Sequence, residues 1–262
     1  MTLCNFDDLV NIDILKCCIC PTGQEELTNL ALPSHSVPRK GSREMATDSK
    51  PSKRRRKSRD TAELKGAILQ AAVEVFARSG YEGASLMDIA AGAGTRHPLL
   101  LYHFGSKENL WRQTMSHIFE GLKAEYAAVA ELSRDLSALD QLKLFIRAFV
   151  QFSARNPERV ILVLVEMRQE SERLEWLTEE YLVGLLGQLN HLLDRVEEEG
   201  NLKPIPRYHL SYILIGSVAT LFMVGPMVQR VYEVDALSPK VVSAHADWII
   251  EMLLNGLIVQ EP

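Results

Sequence analysis

Apolar residues recur at three- and four-residue spacing from Leu64 onward, so the chain reads as one amphipathic helix after another. Leu64, Ile68, Ala71, Ala72, Val75 and Phe76 form the first stripe, in a helix predicted from Thr61 to Gly80. Two short helical segments follow, separated at Gly94. Ser106, with Glu108 in the first turn, then caps a long helix through Leu110, Trp111, Met115, Ile118, Phe119 and Leu122 towards Leu132. Leu142, Phe145, Ile146, Phe149, Val150 and Phe152 mark the next, from Leu139 to a stop at Asn156-Pro157. The segment from Val160 to Glu170 opens on VILVLV, apolar on nearly all sides. Its place after Pro157, with helix formers at its end, predicts a buried helix over a strand. A long helix from about Leu174 to Glu199 stops at Gly200, and Arg207–Val224 and Pro239–Leu257 complete the series. Ser238-Pro239 gives the last one an N-cap and a first-turn proline. There is no alternating β pattern and no internal repeat, so the predicted class is all-α.

The short helical pair lies in Ser85–Lys107, SLMDIAAGAGTRHPLLLYHFGSK. Ser85 is placed to N-cap the first helix, with Asp88 three residues on and at the favourable end of the helix dipole. Ala90 and Ala93 are small enough for a second helix to approach, and Gly94 supplies a turn that calls for positive φ. Pro98 is tolerated only in a first helical turn, which fixes where the second helix begins. This is the plan of a helix-turn-helix, whose second helix lies in the DNA major groove.

Charge sharpens that reading. Residues 50–112 carry twelve Lys and Arg against six Asp and Glu, a net of +6; since the whole chain is −5, the remainder holds −11. One basic segment around a helix-turn-helix in an acidic chain points to a polyanion-binding head joined to a different body. Residues 46–60 are polar and basic with nothing to pack, and are expected to be disordered in isolation. The apolar runs are too short for a membrane span and no signal-peptide pattern opens the chain, so the expected setting is the cytoplasm, away from membranes. All four cysteines, Cys4, Cys17, Cys18 and Cys20, fall in the first twenty residues, so no disulfide framework supports the rest. With no second ligand pair before His35, they make a poor metal site, and we expect no metal. Residues 1–44 differ in character from the rest of the chain, and Met45 opens a sensible start. We expect 1–44 to be a disordered leader or absent from the native protein; mass spectrometry of that protein would show which.

The stretch from Ile68 to Trp111 resembles the tetracycline-repressor (TetR) family of bacterial transcription regulators. It carries FARSGYEGAS at the end of the first helix, the DIA core, the AG turn, PLLLYHF and GSKENLW, in the family's order. HADWIIEMLLNGL is similar to the last helix of many members. The resemblance implies a leader with a basic arm over 1–60 and a three-helix DNA-binding domain over 61–106. A helical ligand-binding and dimerisation domain would follow over 107–262. It also implies a homodimer on a palindromic operator in double-stranded DNA, acting as a repressor that answers a small-molecule effector.

Carried onto this sequence, the recognition helix is about His97–Phe104, with Leu100 and Phe104 turned inward. His97, Pro98, Leu99, Leu101, Tyr102 and His103 remain for the groove or the phosphates, and Ser85 and Lys107 for the phosphates. Many members have Val-Ser before this helix; here Thr95-Arg96 stands instead. Thr95 is then the expected cap, and Arg96 gains reach to guanine O6 and N7. Leucines at 99 and 101 pack on thymine methyls where other members present polar groups. Lys53–Arg59, with Arg54, Arg55 and Arg56 at its centre, is a candidate arm tracking phosphates. Candidate ligand contacts on the middle helices are Trp111, His117, Phe149, Glu166, Met167, Trp176 and His191. Glu166, after VILVLV, needs a partner if buried, either a cationic ligand or Arg168. Tyr212, Ile215, Leu221, Phe222, Trp248 and Met252 are candidates for the dimer interface, with Gly216 and Ala219 allowing close helix approach. The sequence holds no G-x-S-x-G, H-E-x-x-H, phosphate loop or dinucleotide fingerprint, so neither an enzyme nor a cofactor is expected. The rival reading is a ligand-independent DNA-binding protein with an architectural or cell-division role.

Overall fold

The structure, a computed structural model, describes residues 53–200 and 202–257. The cysteines and residues 1–44 lie outside that range. Every described element is helical: α1 (Lys53–Gly83), α2 (Leu86–Gly92), α3 (His97–Phe104), α4 (Lys107–Leu132), α5 (Ala138–Arg155) and α6 (Pro157–Glu166) come first. They are followed by α7 (Glu172–Leu177), a single π turn (Thr178–Leu182), α8 (Val183–Glu198), α9 (Arg207–Met223), α10 (Gly225–Tyr232) and α11 (Pro239–Leu257).

Three differences from the periodicity reading have physical causes. Helix α1 starts at Lys53, eight residues before Thr61, because Lys and Arg propagate a helix well once the apolar stripe from Leu64 has nucleated it. Its last turn is broken at Gly80 (φ 67°, ψ 175°), a conformation a side chain resists. The expected long helix 174–199 instead opens at Glu172 and carries the π turn at 178–182. Finally, the periodicity leaves residues 225–232 as a connection, whereas Gly225-Pro226 ends α9 and at once begins α10 at 66° to it, since proline suits a first turn.

Two cores organise these helices. One joins Ile68, Phe76, Ile89, Leu100 and Phe104 of the first three helices to Trp111, Ile118 and Phe119 of α4 and Leu162 of α6. The other joins α5, α8, α9 and α11 through Leu142, Ile146, Leu193, Leu214, Val218 and Ile249. Phe145 and Phe149 of α5 pack against both. Helix α1 lies along α4 and α6, so the first core runs without a break past the junction at Ser106. Among the described residues no single helix is long and apolar enough to cross a membrane.

Candidate nucleic-acid interface and the cavity behind it

Ser85 caps α2 as its sequence position implies: its hydroxyl accepts from the N–H groups of Met87 (3.2 Å) and Asp88 (3.4 Å). Gly94 takes φ 63°, and the turn closes with Thr95 N–H donating to the Ala90 carbonyl at 2.9 Å. The N-cap of α3 is Arg96, in extended backbone, and no side chain accepts its first N–H groups. Thr95 therefore does not take over the serine's capping role, because it stands one residue too early. Pro98 sits in the first turn, where its missing N–H costs nothing. At the far end Gly105 (φ 75°) turns the chain, while Asn109 Nδ2 of α4 donates to the Phe104 carbonyl at 2.7 Å. The inner face of α3 is fixed by Leu100 and Phe104, which are 0 % and 1 % exposed.

The opposite face of α3 is open. Arg96, Pro98, Leu99 and Tyr102 are exposed, Tyr102 at 81 %, and His97, Leu101 and His103 are partly so. The Arg96 guanidinium has no partner among the described residues. Tyr102 and His103 meet edge to face at 5.2 Å, which limits where each ring swings. Lys107 is less free than expected. Its Nζ donates to the Glu82 carbonyl at 3.0 Å and lies 4.9 Å from the centre of the Tyr81 ring, though two of its three protons remain. Arg54, Arg55 and Arg56 lie in the first turn of α1, but their side chains fall outside the described ones.

Tyr81 joins this head to the helices behind it. The Arg173 guanidinium lies 4.0 Å above its ring, and Arg173 Nε donates to Glu166 Oε1 at 2.8 Å. Glu166 is buried, and its partner is Arg173, not Arg168, which is exposed two residues beyond the end of α6. Burial first, and then the Glu108 carboxylate, push the Tyr81 hydroxyl up, while Arg173 draws it back. From Tyr81 a chain of rings runs inward through Trp111 (6.3 Å), Trp176 (5.7 Å) and Tyr181 (5.6 Å) to Phe119, stacked at 4.6 Å.

Phe119 and Leu182 open onto a cavity of about 90 Å³ between α4, α5, α6, α8 and α9. Phe149 and Met167 of the candidate ligand contacts line it. Trp111 and the partly buried Trp176 meet edge to face, Glu166 is tied to Arg173, and His191 is exposed on α8, and none of the four lines the wall. His117 stands beside the wall, its Nε2 3.5 Å from Arg159 Nη2. Burial, and then the Arg159 charge, push its imidazole down. Arg159 lines the cavity, and its only signal in the sequence is its place just before an apolar run.

The dimer candidates divide. Tyr212, Trp248 and Met252 are exposed, Leu221 is partly buried, and Gly216 is open. Phe222 is in the core against the His245 ring (5.4 Å), Ile215 lines the cavity, and Ala219 is buried. These three face inward because α9 is packed on α5, α6 and α11, which leaves only a narrow outer stripe.

A short helix pinned by buried residues, with an unpaired cation and an open face presented across a glycine turn, has the form of a helix-turn-helix DNA reader. Residues 68–114 match the model of bacterial regulatory proteins of the tetR family. The HTH-type transcriptional regulator RutR of Escherichia coli K12 is 30 % identical over 177 residues, spanning 67 % of this chain and 82 % of RutR. The HTH-type transcriptional repressor NicS of Pseudomonas putida is 28 % identical over 198 residues, 72 % of this chain and 90 % of NicS. The crystal structure of AibR in complex with isovaleryl coenzyme A and operator DNA matches with a TM-score of 0.59 at 19 % identity. It covers 73 % of this chain and 98 % of AibR. The chain belongs to the tetR family and is a helix-turn-helix transcriptional regulator.

Proposed function

We propose that the chain is a ligand-responsive repressor that binds a palindromic operator as a homodimer. Residues 61–106 form its reading head and 107–262 its effector and dimer domain. Arg96 and His97 read base edges, Leu99 and Leu101 pack on thymine methyls, and Ser85, Pro98, Tyr102, His103 and Lys107 hold the backbone, with Arg54–Arg56 as an arm on neighbouring phosphates. Tyr212, Trp248 and Met252 form the dimer face.

One observation carries the ligand-responsive reading: the cavity and the reading head share a continuous core. Ile118 and Phe119 line the cavity and pack in the same cluster as Leu100 and Phe104 of α3. A molecule that enters must press on helices that carry the reader, and two readers address half-sites about 34–36 Å apart only within a narrow range of spacing. AibR, on the same fold, holds both an acyl coenzyme A and operator DNA, which supports this arrangement. The test begins by selecting operator DNA with the purified chain and measuring its affinity for that site across small molecules. Release by one compound, lost when Leu186→Trp fills the cavity, is the expected result. Binding at scattered non-palindromic sites, indifferent to every compound, would favour the architectural role.

A further inference from the structure

We infer that the cavity takes an amphipathic monoanion, with an aliphatic tail among Phe119, Leu122, Phe149 and Leu185 and the anionic end on Arg159. This rests on the proposal that the cavity is an effector site. Its wall is built of apolar side chains apart from Arg159 and Tyr126, so it offers little to a sugar or a nucleobase that must keep its hydrogen bonds. About 90 Å³ left empty would forfeit dispersion contacts on every side, and by volume it holds on the order of half a dozen waters that would find too few polar partners. A tail of several carbons fits it better.

The sign of the polar end follows from Arg159. Its guanidinium is half-buried, and no carboxylate stands within ion-pair distance of it among the described residues. Glu125, the carboxylate that acts on it, spends Oε2 on Arg155 at 2.7 Å. The guanidinium rests instead against α4 at Gly121, whose position leaves Nη1 ordinary contact room, with Nη2 at 3.5 Å from His117. Burial holds both Arg159 and His117 below their usual ranges, so His117 adds no second charge at neutral pH. A single cation short of a partner, at the edge of an apolar cavity, selects one negative charge. A cation is repelled, and a polyanion finds one donor set beside Glu125 and Glu120.

Titration calorimetry on the intact chain with octanoate, octanol, octylamine and octanoyl-coenzyme A tests this. Octanoate is expected to bind at least tenfold more tightly than octanol or octylamine. Arg159→Gln should erase that preference while leaving octanol unchanged, Arg159→Lys should restore part of it, and circular dichroism checks that each variant is folded. Tighter binding of octanoyl-coenzyme A than of octanoate overturns the monoanion, because the conjugate is a polyanion whose thioester brings no charge to Arg159. Equal affinity for octanoate and octanol, tighter octylamine, no saturable binding, or a preference that survives Arg159→Gln overturns the inference. Operator release is scored separately. Arg159-dependent octanoate binding without release sinks the ligand-responsive reading alone, whereas release by a neutral or cationic compound sinks the anion alone.

Discussion

Arg96 stands where an N-cap side chain would accept hydrogen bonds, and it accepts none. The residue proposed to reach the DNA is thus the one that leaves α3 uncapped. Arg96→Ser, which restores the serine common at this place in the family, should stabilise the fold by about 0.5–2 kcal/mol in urea unfolding. The same change should weaken the selected operator by about tenfold or more, the scale of one bidentate base contact. A variant that is more stable and binds its operator equally well would remove Arg96 from the base readers. At this scale the sequence was most legible where a local rule acts alone: Gly94 at positive φ, Pro98 in a first turn, Ser85 as a cap. It misplaced partners, offering Arg168 to Glu166 where the structure supplies Arg173. Glu166 and Arg173 are seven residues apart, and only the connection between α6 and α7 brings them together.

Helices with a full apolar stripe are placed by their own periodicity, so α4, α5, α9 and α11 lie within a residue or so of expectation. Elements set by neighbours are not. Helix α10 is eight residues long and the π turn five, too short for a period to register. The contact between elements that matters most here is Arg173 of α7 across Glu166 of α6 and Tyr81 near the end of α1. Arg173→Ala leaves a buried carboxylate unpaired and should cost about 3–5 kcal/mol of stability. The double change Arg173→Met with Glu166→Leu should recover most of that loss. If the clamp couples the cavity to α1 and α2, the recovered double variant binds operator normally but no longer releases it on effector. Chemical denaturation and an operator-release assay read the two effects separately, and full release by the double variant would place the coupling elsewhere.

Across the whole molecule, apolar side chains remain at the surface in a grouping that single exposed residues do not explain. Tyr212, Ile213, Trp248 and Met252 are each more than half exposed, on the two helices the family resemblance assigns to the interface. Trp248→Glu combined with Met252→Lys should yield a monomer in sedimentation, with near-native melting and operator affinity reduced at least a hundredfold. A dimer that persists would move the interface off this stripe. The sequence points to two helices without separating their faces, since Phe222 and Ile215 fit an interface by type and are claimed by the core and the cavity by packing.

The π turn at Thr178–Leu182 gives the run from α7 to α8 one residue more than a regular helix of the same span would hold. Tyr181 and Leu182 sit within that turn, one stacked on Phe119 at the inner end of the ring series and the other on the cavity wall. A surplus residue in a helix is a count that can be moved along it: passing the bulge by one turn turns the intervening side chains by about 100° and leaves both ends in place. At the point where the cavity and the ring series meet, the chain therefore holds a register in which side chains can be turned without displacing helices.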